Sequence, residues 1–297
     1  MDAMELNYNS ATALRAFLES NGLGMRKKFG QNFLVSPDAR RGLVDALEAS
    51  VGDSVWEIGP GLGAMTHMLL QRGLRVRAFE IDPGFAGVLK RIFAGDAGFE
   101  LVEGDALKTW RAHPPAPYLL GNLPYNVGSA LLADFIENGL LFRRMVVTVQ
   151  REVAIRMAAD AGGADYSSFS ILCASAYCVR RLMPIKSRSF YPSPNVDSQG
   201  VLLELLEDAD GAPLAKSLPS GFYPLVRGLF SARRKTVRNN LAAFLAARGK
   251  PAGAGSAELA AGLLEESSVD GGLRAENLRV RDFAVLAKTA VDMGILP

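Results

Sequence analysis

Gly121-Asn122-Leu123-Pro124-Tyr125-Asn126 brings together the parts needed to present an exocyclic amine to an electrophile. The Asn122 amide oxygen and a nearby backbone carbonyl can both accept hydrogen bonds from such an amine. Held that way, the amine turns its lone pair out of the base plane. Proline stiffens the turn that aims these groups, and Tyr125 offers a flat face to a purine. No strong base is required, because the work is in-line positioning and electrostatics. In isolation the same residues would also make an Asn-Pro turn with a packing tyrosine.

A second constellation lies upstream. Glu57-Ile58-Gly59-Pro60-Gly61-Leu62-Gly63 reads as the end of a buried strand, a glycine turn and the start of a helix. Such a turn lets a ligand approach the backbone closely, and the helix N-terminus offers it free N–H groups. Glu80 ends the next predicted strand, where a carboxylate can accept from ribose hydroxyls, and Asp105 ends the third. The spacing is G-x-G-x-G, with Ala64 where a dinucleotide turn would place its third glycine. That disfavours NAD and suits an adenosine ligand without a pyrophosphate. S-adenosylmethionine fits: ribose for Glu80, the adenine amine for Asp105, a zwitterionic methionine near the glycines. Trp56 and Phe79 read as core residues, and Asp82 reads either as a ligand or as the cap of a helix starting at Pro83.

Strands predicted over 54–58, 74–81, 99–103, 118–120 and 145–150 alternate with helices over 64–72, 83–94 and 129–138, after helices at 11–20 and 38–50. That alternation predicts an α/β fold, a parallel sheet with helices on both faces. Two further strands are expected near 171–179 and 199–206, around a Ser/Pro-rich loop over 184–198. Residues 207–221 read as a linker, and helical spacing follows at 222–230, 237–248, 257–264 and 281–293. The expected domains are an N-terminal extension (1–24), a catalytic domain (25–208) and a smaller all-helical domain (209–297).

The 297-residue chain is 49% hydrophobic and 22% charged, which excludes a disordered chain. Two cysteines (Cys173, Cys178) and two distant histidines (His67, His113) argue against a disulfide framework and a metal centre. The N-terminus does not read as a signal peptide, and a cytoplasmic protein is expected. The net charge of +2 hides a clustering. Residues 211–250 hold Lys216, Arg227, Arg233, Arg234, Lys235, Arg238, Arg248 and Lys250 and no acid. Residues 140–190 add Arg143, Arg144, Arg151, Arg156, Arg180, Arg181, Lys186 and Arg188 against three acids, Glu152, Asp160 and Asp165. This suits a phosphate-rich partner, or else a solvated helix face.

Six motifs in order resemble the ribosomal RNA adenine N6,N6-dimethyltransferases, in particular those of the bacterial small subunit. They are Lys28-Phe29-Gly30-Gln31-Asn32-Phe33-Leu34, the glycine turn, Glu80-Ile81-Asp82, Asn122–Asn126, Phe190–Ser198 and Phe230–Asn239. The resemblance implies a Rossmann-like methyltransferase fold and S-adenosylmethionine held by Asn32, Leu34, Gly59, Gly61, Glu80, Asp105 and Asn122. It implies that Asn122 and the Pro124 carbonyl hold the target N6, with Tyr125 and Phe190 stacking on the base. It implies that Arg233, Arg234, Lys235 and Arg238 bind RNA phosphates. The implied reaction is dimethylation of two adjacent adenosines in a 16S rRNA hairpin loop near the 3′ end, by a monomer, during small-subunit biogenesis. Val127-Gly128 departs from the bulkier pair that relatives often carry. A large-subunit, macrolide-resistance type enzyme and a non-catalytic assembly factor are the other readings; the helical C-terminal domain and the intact motifs argue against them.

Overall fold

Ser54-Val55-Trp56-Glu57-Ile58 lacks polar alternation, and the strand it forms is buried on both faces. Such a strand needs a neighbour on each edge and a layer on each side. In the computed structural model, which describes residues 6–25, 30–125, 127–249 and 254–297, it has both.

Helices α1 (Ala11–Ser20) and α2 (Pro37–Asp45) flank a short strand, β1 (Phe33–Leu34). Then β2 (Ser54–Ile58), α3 (Ala64–Gln71), β3 (Arg75–Glu80), α4 (Pro83–Ile92) and β4 (Phe99–Glu103) alternate, followed by α5 (Ala106–Thr109), β5 (Tyr118–Asn122), α6 (Gly128–Glu137) and β6 (Arg144–Gln150). Helices α7 (Arg151–Met157) and α8 (Ser168–Ala176) precede β7 (Tyr177–Ile185), β8 (Phe190–Tyr191) and β9 (Ser198–Leu205). Helices α9 (Phe222–Leu229), α10 (Val237–Ala246), α11 (Ala254–Glu266) and α12 (Val280–Asp292) follow.

The main sheet has the order β4-β3-β2-β5-β6-β9-β7. Strands β4 to β6 are parallel, as the alternation predicts, and β9 is added antiparallel to β6. Ile58 of β2 stands opposite both Phe79 of β3 and Gly121 of β5. Gly59, Glu80 and Asn122 therefore leave the sheet together, one residue beyond that row. The chain runs outward from β2 to β4 and returns to the other side of β2 with β5, so the switch point, where open α/β sheets bind ligands, falls between β2 and β5.

Helix starts follow the capping residues. The Ser36 hydroxyl accepts from Ala39 N, with Pro37 in the first turn. Asp82 does cap α4: its Oδ1 accepts from Gly84 N at 2.8 Å. The strand expected near 171–179 is a correction. Residues Ser168–Ala176 are helical, and β7 begins only at Tyr177. The segment is apolar and buried almost all round, so periodicity cannot tell it from a strand. What decides is the reciprocal cap of Ser167 and Ser170.

The chain forms two units, Met1–Ala154 with Val179–Leu205, and Ile155–Cys178 with Leu206–Pro297. The helical unit thus also takes 155–178, which the sequence reading gave to the sheet domain. Tyr166 and Ile171 are buried in its core with Phe222, Leu229 and Phe283, and the Tyr166 hydroxyl donates to Leu278 O at 3.0 Å. Asn240 is 1% exposed, and its Nδ2 donates to Leu229 O (2.8 Å) and Ala232 O (3.1 Å). This pins the turn between α9 and α10, which carries Arg233-Arg234-Lys235.

Candidate active site

A cavity opens at the C-terminal ends of β2, β3 and β5. Gly59, Pro60, Gly61 and Leu62 form one wall, Glu80 and Ile81 another, and Asn122 and Pro124 a third. Gly30, Gln31, Asn32, Phe33 and Leu34 close in from the N-terminal side.

The glycines are there for backbone reasons. Gly61 has φ +60°, and a Cβ on it would lie 2.9 Å from the Phe33 ring. Only a bare backbone fits beneath that ring. Gly61 N donates to Glu80 Oε2 at 3.0 Å, and Asp82 N donates to Oε1 at 2.8 Å. Two backbone amides thus fix the plane of the carboxylate, and each oxygen keeps acceptor capacity. Gln31 Nε2 donates to Asp82 Oδ2 at 3.1 Å, tying the motif over the cavity to the same corner.

Burial pushes the Glu80 carboxyl up to about 7, against the opposing effect of the two amides. Glu57 stands next to the turn and is fully buried. Its Oε2 accepts from Thr66 Oγ1 at 2.6 Å, while Oε1 has no partner among the described residues. Burial pushes it to about 7 as well, with the Glu80 charge adding to the rise.

Asn122 is half-buried, and its Nδ2 donates to Asn32 O at 2.7 Å. That bond orients the amide and leaves Oδ1 as the acceptor. Tyr125 is half-buried and its hydroxyl lies 2.5 Å from Ser198 Oγ on β9. Burial raises its phenol. The Pro124 carbonyl corrects an expectation: it accepts from Val127 N (3.2 Å) and Gly128 N (2.9 Å), starting α6. Both its lone pairs are taken, so it has none left for an amine.

Asn32, Leu34, Gly59, Gly61, Glu80, Asn122 and Pro124 therefore share one cavity. Asp105 and Tyr125 are not among its lining residues. Asp105 caps α5, accepting from Leu107 N at 3.1 Å. Phe190 pairs with Leu34 across β1 and β8 and is 3% exposed in the core of the sheet unit. A role against a base would require that ring to leave its packing. Lys28, Phe29 and Asn126 of the quoted motifs, with Lys250 of the basic run, lie outside the described residues.

Two polar lining residues escaped sequence reasoning. Tyr8 belongs to the N-terminal extension, and its hydroxyl donates to Leu62 O of the glycine turn at 3.0 Å. Arg40 lies on the buried face of α2. Neither carries a motif, although an arginine on an otherwise apolar helix face was a readable signal.

In the helical unit Arg233, Arg234, Lys235 and Arg238 are all exposed. Arg233 pairs with Glu276 at 3.3 Å. Among the described residues no carboxylate pairs with Arg234, Lys235 or Arg238. In the sheet unit Arg144, Arg180 and Lys186 are held in ion pairs with Glu48, Glu204 and Asp197. The charges there are partly committed, whereas Arg234, Lys235 and Arg238 have no such pairing among the described residues. No described helix is long and apolar enough to cross a membrane.

Residues 22–257 match the family model described as ribosomal RNA adenine dimethylase. The chain is 40% identical over 292 residues to the ribosomal RNA small subunit methyltransferase A of Treponema denticola, covering 95% of this chain and 94% of that one. Among solved structures, a dimethyladenosine transferase from Plasmodium falciparum matches with a TM-score of 0.73 and 27% identity, over 88% of this chain and 98% of that one. The 23S rRNA methyltransferase ErmE shares the fold, with a TM-score of 0.60, 22% identity and coverage of 86% and 98%.

Proposed function

The chain belongs to the ribosomal RNA adenine dimethylase family, and from that premise we propose that it dimethylates the N6 amines of adenosines in small-subunit ribosomal RNA. The target in this reading is a pair of adjacent adenosines in a 16S rRNA hairpin loop near the 3′ end. The observation that carries it is the Asn122 amide, locked by Asn32 O and with no partner for its oxygen among the described residues, on the wall shared with Glu80 and the glycine turn.

The cavity suits S-adenosylmethionine: a buried carboxylate for hydroxyls, bare glycine backbone, and apolar walls from Leu62, Met65, Ile81 and Phe85. Bound there, it supplies an electrophilic methyl group. Asn32, Leu34, Gly59, Gly61, Glu80 and Asn122 would hold it, with Asp105 reaching its adenine. Asn122 Oδ1 accepts one N6 hydrogen of the target base. With the Pro124 carbonyl engaged, we assign the second acceptor to the neighbouring carbonyl of Leu123. The two bonds weaken conjugation between the amine and the ring, and the surplus proton leaves to water. Tyr125 stacks on the base, its ring steadied through Ser198.

A base inside a helix cannot reach this site, so the target is splayed from folded RNA. Arg233, Arg234, Lys235 and Arg238 of the helical unit hold phosphates, which gives affinity and register but little sequence information. Every described cavity residue comes from one unit, and the working form we propose is a monomer. With ribosomal RNA as substrate, it works in the cytoplasm.

The test is to incubate the protein with labelled S-adenosylmethionine and unmethylated small ribosomal subunits, then digest the RNA to nucleosides. Dimethyladenosine, absent with Asn122→Ala, supports the proposal. Subunit binding without transfer would favour an assembly factor, and transfer only to large-subunit RNA a resistance-type enzyme.

A further inference from the structure

The described residues lining the cavity carry two charged side chains, Glu80 and Arg40. Arg40 and Arg41 are neighbours on α2 with opposite fates. Arg41 is solvated and 3.9 Å from Asp38, whereas Arg40 is 5% exposed on the face shared with Leu43 and Val44. A buried guanidinium normally has a carboxylate beside it. Among the described residues this one has none. Its Nη1 donates to Leu34 O (2.5 Å) and Tyr8 O (3.2 Å), its Nη2 donates to Asn9 Oδ1, and its Nε–H has no partner among the described residues.

Of the five N–H donors of a guanidinium, three are committed to neutral oxygens. One Nη2–H remains, together with an Nε–H that is enclosed by protein and opens to a ligand only with a small shift of its neighbours. A guanidinium pairs best with a planar carboxylate, through two parallel bonds. We infer that Arg40 binds the α-carboxylate of the cofactor's amino-acid end. The inference rests on the methyltransferase reading above and extends it to a residue that no motif marks. It accounts for the uncompensated charge, because the ligand brings the missing counter-ion. It also divides the cavity by chemistry: the neutral ribose hydroxyls go to the acceptor Glu80, the anionic end to the donor Arg40. Since Arg40 also holds the carbonyls of Tyr8 and Leu34, the residue that reads the carboxylate also ties down two segments of the cavity wall.

Two ligands separate binding from scaffolding. S-adenosylhomocysteine carries the amino-acid end, and 5′-methylthioadenosine has the same nucleoside without it. By calorimetry on the full chain, Arg40→Gln should weaken S-adenosylhomocysteine about 10- to 100-fold, the worth of a charge-assisted pair, and 5′-methylthioadenosine by less than about twofold. Arg40→Lys, which keeps the charge but loses the fork, should fall between. Equal weakening of both ligands would overturn the inference and leave Arg40 as a clamp on Tyr8 and Asn9. Unchanged S-adenosylhomocysteine affinity would also overturn it. Failure of the unmodified protein to bind S-adenosylhomocysteine would instead remove the cofactor reading itself.

Discussion

Asn122 Nδ2 donates to the backbone carbonyl of Asn32 at 2.7 Å, across 90 positions of sequence. One hydrogen bond thus sets the orientation of the amide and joins the strip over the cavity to the end of β5. Asn122→Ala should lower turnover about 10²- to 10³-fold, as loss of one aligned polar partner does. Affinity for S-adenosylhomocysteine should stay within a few fold. Asn122→Asp keeps an acceptor but sets a carboxylate against the Asn32 carbonyl, so it should be no better than alanine. Single-turnover methylation measured beside calorimetry checks both, and alanine turnover near the unmodified level would remove the assigned role.

Tyr125 and Ser198 make a second coupled pair, with 2.5 Å between their oxygens. Tyr125→Phe keeps the stacking face and loses the tether, so a loss of only a few fold in methylation rate is expected. Tyr125→Ala loses the face itself, worth about 1–3 kcal/mol per base. Ser198→Ala should reproduce Tyr125→Phe, and the double variant should be no worse than either single one. Additive losses in that cycle would show that the two hydroxyls act separately.

How much of this was legible depended on whether the signal was local. The β2–turn–α3 unit was readable because Val55–Ile58 form a continuous buried run ending in glycines, and Asp82 because a cap lies beside what it caps. The Pro124 carbonyl was misread because its partners, the amides of Val127 and Gly128, belong to the next helix and start it. Phe190 was an aromatic in a Pro-rich loop, and the β1–β8 pairing that buries it joins segments far apart in sequence. Tyr8 and Arg40 reach the cavity through side-chain bonds to distant backbone, which leave no pattern in either segment.

Glu57 gives a pH prediction. Its carboxyl is pushed from an ordinary 4.5 to about 7 when folded, chiefly by burial. The folded chain therefore holds this proton more tightly than the unfolded chain does. Folding stability is greatest at low pH as far as this group is concerned, and it is lost as pH rises from about 4.5 to about 7. Glu57→Gln removes the titration, so its urea midpoint should fall less than that of the unmodified protein between pH 5 and 8. Parallel pH profiles would show that the carboxyl is not perturbed.

The same physics acts on Glu80 inside the cavity, with a ligand-dependent sign. The Glu80 carboxyl is also raised to about 7, so a substantial fraction is neutral near pH 7 in the free protein. S-adenosylmethionine carries a sulfonium charge that S-adenosylhomocysteine lacks. The ionised carboxylate favours the cation, so the affinity ratio of the two ligands should shift toward S-adenosylmethionine as pH rises through 7. A ratio constant from pH 6 to 8 would show that the carboxylate does not feel the charge.

The turn between α9 and α10 offers the last prediction. Asn240 holds the carbonyls of Leu229 and Ala232 from within the helical core, so the basic residues that follow stand on a fixed base. Arg233 is partly neutralised by Glu276, so Arg234 and Lys235 should contribute more to RNA binding than it does. Replacing both with alanine removes two phosphate contacts, which should make the slope of log affinity against log salt shallower by about 1.5. The loss should be similar for RNAs of different sequence, because phosphate contacts carry register rather than base identity. Asn240→Ala leaves every charge in place but frees the turn, so it should weaken RNA binding with little change in slope. An unchanged slope for the Arg234→Ala, Lys235→Ala protein would mean that these side chains face water in the complex and that the RNA lies elsewhere on the chain.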